Sequence, residues 1–402
     1  MKHYKKRFIT SLCSLLLASI LQAQPSVPLT RKALLDSIAR NNTTLAALRA
    51  HTERGKAEAR TELRLPDPEL EAGYLWGTPK GTPARKDFGI SQELDWAVIT
   101  GKRKRLARAT DLVLEQSYAL QRQNVLAEAD AEIVRATYIN RLCRELTLRL
   151  NLSQEMLLLY DKKMAQGDAD QLSYNKVKLN HTLAINALEK AETERTETLK
   201  RLQSLNGGHP VIFTDTIYDS TPLPPLPSLL EHTSSAHAAM QAANAEISRQ
   251  KEQIKLSRTE ILPKFSVGFT GEYISGENHS GVSLGLSLPL WGNGRQRIRQ
   301  SQAALTAAQL DLADVKTKLA STVEQYYATA LRQQQTAERL KREMQESSSA
   351  HLLQRALQLG KISMTDYLLE LSFYYEARTA LLEAERDAAL AKSQLLMMMS
   401  QQ

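Results

Sequence analysis

The chain has two cysteines, six phenylalanines and three tryptophans in 402 residues, and few glycines (17) and prolines (13) for its length. Each shortage excludes something. Cys13 lies in an N-terminal apolar run, so if that run is removed Cys143 is left alone and no internal disulfide can form. Beyond that run, no stretch is apolar enough for a membrane helix. No Ser/His/Asp or Cys/His arrangement, phosphate loop or HExxH motif is present, so no enzyme and no cofactor is expected. Half of the formal net charge of +8 comes from Lys2, Lys5, Lys6 and Arg7. No basic cluster with interleaved aromatics follows, which argues against a nucleic-acid partner. What remains is rich in Gln, Ala, Leu, Glu, Lys and Arg, a mixture that favours long helices.

The first residues, MKHYKKRFITSLCSLLLASILQAQ, run from a basic start through an apolar segment at about 8–21 to the small residue Ala23. This is the pattern of a secretory signal peptide over residues 1–23, too short and wrongly flanked for a membrane anchor. Export is the expectation.

The rest of the sequence says the same thing twice. LPDPELEAGYLWG near 66 is echoed by LPKFSVGFTGEYISG near 262, and ELDWAVITGKRKR by LSLPLWGNGRQR. Each half carries a later Gly turn, QGDADQL or LGKISMTDYL, at the same spacing from the first landmark. The first repeat is assigned to 24–205, a Pro/Gly-rich connector to 206–227 and the second repeat to 228–402.

Four segments, at about 67–76, 87–96, 264–274 and 281–290, alternate apolar with small or charged residues. Period two gives a strand one apolar and one polar face. A length near ten residues also suits a membrane-spanning strand. A soluble hairpin on a core is the competing reading. Against it stand the export signal, the Trp residues at strand ends, where an interfacial girdle would lie, and the lack of further β sequence to complete a soluble sheet. Four strands cannot close a barrel, and open edges are not tolerated in lipid. Three chains would supply twelve strands, so the pattern predicts a homotrimer with outer-membrane lipid around it.

Helices of about sixty residues should follow each second strand, about 90–100 Å long at 1.5 Å per residue. A returning helix follows each, and a shorter helix precedes each first strand. A heptad seam is legible in Leu305, Leu312, Leu319, Tyr326, Gln333 and Leu340, with Ala308, Val315, Thr322, Thr329 and Thr336 between. A second runs Leu368, Tyr375, Leu382, Ala389, Leu396. Small and polar seam residues suggest helices side by side in a wall. The fold class is thus mostly α with a membrane β-barrel portion.

On these motifs (the two-fold repeat, the LPDPEL strand start, the strand ends running into Gly-Lys-Arg or Gly-Arg-Gln, and the two Gly turns) the chain resembles the TolC-type outer-membrane efflux ducts over essentially all of residues 24–402. The short length and the Pro-Asp-Pro-Glu-Leu stretch look most like the branch serving heavy-metal cation pumps. The resemblance implies a trimer in the outer membrane of a Gram-negative bacterium with a large periplasmic helical tunnel. It implies a passive outlet for an inner-membrane pump of the resistance-nodulation-division type, joined through a periplasmic adaptor. Drug or polypeptide export and, in a different class, a soluble exported coiled-coil adaptor are the alternatives. The chain lacks the lipid-anchor Cys of some relatives, so anchoring would rest on the barrel.

Several site expectations follow from the resemblance. The polar strand faces would line the lumen with Glu69, Glu71, Asp87, Glu93, Asp95 and Glu272, and rings of carboxylates favour cations. Gly167 and Gly360 would mark the hairpin tips, with Leu172 and Ile362 helping to dock the adaptor. The gate would lie there too. Asp366 matches the family's gating Asp and Glu370 lies one turn on, while the family's second Asp position is Leu369. The first half offers Asp168 and Asp170. For metals, His232, His237 and Met240 come closest to a cluster, but a five-residue His spacing misses the i, i+4 face. Met397–Met399 read as a frayed tail, so no metal site is assigned.

Overall fold

The structure, a computed structural model, describes residues 29–79, 81–219, 222–289, 292–346 and 350–399. The signal-peptide region, Leu290 and Trp291 lie outside the described residues. Among the described residues the helices are α1 (Arg31–Asn41), α2 (Thr43–Thr61), α3 (Trp96–Ile99), α4 (Lys102–Gln166), α5 (Gln171–Leu205), α6 (Leu226–Ala236), α7 (Ala238–Thr259), α8 (Gly294–Glu346), α9 (Ala350–Gln358) and α10 (Met364–Met399). The strands are β1 (Glu69–Leu75), β2 (Arg85–Leu94), β3 (Lys264–Ile274) and β4 (Glu277–Ser287). The described residues pack into two units: one holds those up to Asn41 with Arg135–Ile217, the other those within 42–134 and from Tyr218 on.

In the first unit, α1 buries Leu34 and Ile38, one turn apart on one face. The Ser37 hydroxyl donates to Asn206 Oδ1 at 2.9 Å, tying α1 to the end of α5. There the chain turns through Gly207 (φ +66), whose missing Cβ leaves room for the Asn41 carbonyl. Residues 209–217 of the connector are strapped down although they form no helix or strand. Phe213 is buried, and Asn140 Nδ2 donates to the carbonyls of Phe213 (3.1 Å) and Asp215 (3.2 Å).

In the second unit α8 packs against α6, α7 and α10. Its buried stripe is Ser301, Ala308, Val323, Ala330 and Ala337. This is the expected wall of small residues, with the phase shifted from the Thr322/Thr329/Thr336 seam. An ideal helix lags about 20° per heptad, so three heptads past Ser301 the next residue along, Val323, takes the buried place. Leu229, Val323, Ala330, Ala391 and Leu395 form one cluster, on which Met398 and Met399 pack. Met397 is buried, and its carbonyl accepts from Gln123 Nε2 at 2.8 Å. The expected frayed Met tail is instead part of the core, because burying thioether surface outweighs the tendency of a helix end to fray.

The four strands form one antiparallel sheet in the order β1-β2-β3-β4. Its bounds refine the sequence reading. Ser275 (φ 51) and Gly276 (φ 97) make a two-residue turn with both residues left-handed, so β4 begins at Glu277 and not near 281. β2 starts at Arg85 and stops at Leu94. Asp95 leaves the strand because its Oδ1 accepts from the Ala97 N–H at 2.7 Å and caps α3.

Candidate functional site

The sheet has two chemically distinct faces. One carries Leu70, Ala72, Phe88, Ile90, Phe265, Val267, Phe269, Val282, Leu284 and Leu286, matched across the strands by register. It is open to the outside: Leu70 is 82%, Leu284 81% and Val282 75% exposed. Gly271 lies opposite Phe88 and is buried beneath its ring, where a Cβ would overlap it. Aromatics mark both ends. Trp76 follows β1 and stacks near Tyr74 (5.9 Å), while Trp96, past the far end of β2, packs edge-on against Phe265 (5.8 Å). The Trp96 indole N–H also donates to the Pro263 carbonyl at 3.0 Å, fastening the β2 exit to the β3 entry.

The other face is layered. Glu69 aligns with Ser91, Gly268 and Ser283, and Glu71 with Gly89, Thr270 and Gly281. One row further lie Asp87, Glu272 and His279, with Arg85 and Glu277 beyond. Arg85 Nε donates to Asp87 Oδ1 at 2.7 Å and lies 2.9 Å from Glu272 Oε1. At the opposite end Lys264 Nζ holds Glu93 at 2.8 Å. Asp95, expected on this face, is a helix cap whose Oδ2 accepts from Arg103 Nε at 2.9 Å, while Arg103 also reaches Glu62 (2.9 Å). Among the described residues Glu69 and Glu71 have no ion-pair partner. The sequence reading named six carboxylates and missed three cations, Arg85, Lys264 and Arg103. Arg85 was legible in principle: it sits two residues before Asp87, on the same face of a period-two strand.

The two hairpin turns share one ending. At the first, Gly167 (φ +78) donates to the Met164 carbonyl at 3.2 Å and the Asp168 N–H to that of Lys163 at 2.8 Å. At the second, Gly360 (φ +66) donates to Leu357 at 3.1 Å and Lys361 to Ala356 at 2.9 Å. These are paired C-terminal caps of the Schellman type, which need a left-handed residue and so select Gly. The following helix starts differ. Asp170 caps α5 directly, its Oδ1 accepting from the Ser173 N–H at 2.8 Å. The hydrogen bonds from Ser173 hold the Asp170 carboxyl below its usual pKa. In the second turn Ser363 is the cap. Its hydroxyl donates to Asp366 Oδ2 (2.6 Å) and accepts from the Asp366 N–H (3.1 Å), a capping box. Leu172 is 64% exposed, Ile362 half-buried, and Asp168, Leu369 and Glu370 exposed.

Two of the three metal candidates are engaged in the fold. His237 caps α7, its Nδ1 accepting from the Ala239 N–H at 3.1 Å, and burial pushes its pKa down. Met240 is buried in the core. Among the described residues no group of three His, Cys, Asp or Glu side chains could hold a metal ion, and no helix is long and apolar enough to cross a membrane.

Residues 229–400 match the family model described as OEP, outer membrane efflux protein. No curated protein matches the chain. Solved structures similar to it include a membrane protein from Pseudomonas aeruginosa, with 16% identity over 94% of this chain and 95% of that one at a TM-score of 0.74. The outer membrane protein VceC of Vibrio cholerae has 14% identity over 92% and 96%, also at 0.74. CusC, solved in a study of folding and transmembrane channel formation, has 15% identity over 95% of both chains at 0.70. The chain therefore has the fold of these outer-membrane channel structures.

Proposed function

We propose that this protein is the passive outer-membrane exit duct of a tripartite efflux system, working as a homotrimer with a periplasmic adaptor and an inner-membrane pump. The observation that carries it is the sheet: four strands, two unpaired edges, and an apolar face left open along its length. Such a face is costly in water, at roughly 25 cal/mol per Å² of apolar surface. In lipid it is favourable only if the edges are closed. Further copies of the chain close them, and three give an even twelve-strand barrel. An eleven-residue strand spans about 36 Å, which at a tilt near 45° matches an apolar band about 25 Å tall. The family match over residues 229–400 supports the efflux role. The hairpin tips at Gly167 and Gly360 are the proposed adaptor-docking and gating regions, each turn presenting carboxylates near a helix start.

Heavy-metal cations are the proposed cargo, on the strength of the sequence resemblance. The barrel chemistry adds less support than six free carboxylates would, because Asp87, Glu272 and Glu93 are paired. The test is membrane fractionation followed by planar-bilayer recording of the purified protein. The duct reading expects recovery with the outer membrane and discrete conductance steps. Recovery in the soluble periplasmic fraction would favour the adaptor-like alternative and sink the duct.

A further inference from the structure

The polar face of the sheet carries a charge pattern that a list of its acids does not convey. Its middle rows are built from Gly, Ser and Thr: Gly89, Ser91, Gly268, Thr270, Gly281 and Ser283. Into these rows β1 alone projects charge, as Glu69 and Glu71. Both are exposed, and among the described residues neither has an ion-pair partner. One row on, the charge is of mixed sign. Arg85 lies between Asp87 on its own strand (2.7 Å) and Glu272 on the next (2.9 Å), and the same recess is lined by Glu71 and His279. Two unit charges in contact cancel most of each other's field a few ångströms away, and salt screens the remainder. The Asp87–Arg85–Glu272 group keeps one net negative charge where its two carboxylates alone would carry two, and the next rows add Glu69 and Glu71.

We propose that Arg85 sets the ion preference of the barrel. By pairing with Asp87 and Glu272 it offsets one of their two negative charges and so weakens the cation attraction of that row. The inference rests on the duct reading, since it needs this face to line the lumen. Arg85 acts here through the carboxylates it holds and is a specificity-determining residue in that sense. Lys264 plays the same part for Glu93 at the helix end of the sheet.

The test is the reversal potential of the full chain in planar bilayers under a KCl gradient, read as the K⁺/Cl⁻ permeability ratio. The proposal expects Arg85→Gln to raise the ratio by roughly two- to fivefold and Arg85→Lys to hold it. Asp87→Asn leaves Arg85 balanced by Glu272 alone and should lower the ratio, which keeps the proposal testable if Arg85→Gln fails to insert. A ratio unchanged in Arg85→Gln or in Asp87→Asn, in a channel that still conducts, would overturn the proposal while leaving the duct intact. A wild-type protein that inserts but never conducts would instead overturn the duct reading, and this inference with it.

Discussion

The two hairpin turns end their first helices alike and begin their second helices differently. Both stop at a left-handed Gly with the same pair of capping hydrogen bonds. The first restarts on Asp170, an acid that caps the helix itself, four residues before Tyr174. The second restarts on Ser363, and its acid, Asp366, sits one turn inside and closes a capping box. The shared ending shows what backbone geometry demands of any such turn. The different starts show that an acid near a tip has structural employment before any gating role is assigned to it. Asp366 is favoured at a helix start by the dipole and by its Ser363 partner whether or not its symmetry mates lie close. A gate reading therefore needs an effect beyond the loss of a cap.

The largest expected effect tests the shared ending. Gly360→Pro removes the N–H that donates to Leu357 and forces a φ that the turn does not use. Export should fall to the background of a deletion strain, while outer-membrane recovery and assembly persist. Gly360→Asn, which tolerates the left-handed conformation, should retain most export. Normal export in the Pro variant would remove this tip from docking.

Next comes the difference between the starts. Asp366→Ala and Asp170→Ala should each loosen the helix start, read as faster amide exchange in the first turn of α10 or α5. If Asp366 also gates, Asp366→Ala with Glu370→Ala should lose divalent-cation block from the periplasmic side and conduct better. The matching stability cost at Asp170 controls for simple fraying. Unchanged conductance and block would leave Asp366 as the capping-box partner of Ser363 only.

The smallest effect is a pH dependence. Asp170 has its carboxyl pKa lowered by the Ser173 hydrogen bonds. Its stabilisation is therefore fully present above the ordinary carboxylate pKa and is lost as pH falls through the lowered folded value. Asp170→Asn keeps a capping side chain and removes the ionisation. Thermal melts of the variant should match wild type in acid and fall slightly below it at neutral pH. A gap of the same size at every pH would contradict this cause.

Much of this was legible in the sequence because it follows from local rules. Period-two alternation located the four strands, Gly167 and Gly360 announced the turns, and small seam residues announced close helix packing. What was not legible depends on partners far along the chain. The Glu93–Lys264 and Asp87–Arg85–Glu272 pairs exist because β2 meets β3 in one register, and alternation within each strand cannot specify that register. The buried phase of α8 slips to Val323 because helical drift accumulates over several heptads. Asp95 looked like one more strand acid, yet capping α3 and binding Arg103 draw it out of the sheet. The Met397–Met399 run looked like a tail because the cluster around Leu229 and Leu395 that it covers lies elsewhere in sequence.

The central claim is that this sheet is one third of a closed barrel. Native mass spectrometry of the full protein, extracted from outer membranes in mild detergent, tests it most directly. The account predicts a species of three chains that dissociates in sodium dodecyl sulfate. A detergent-solubilised monomer that still inserts into bilayers and conducts would contradict it.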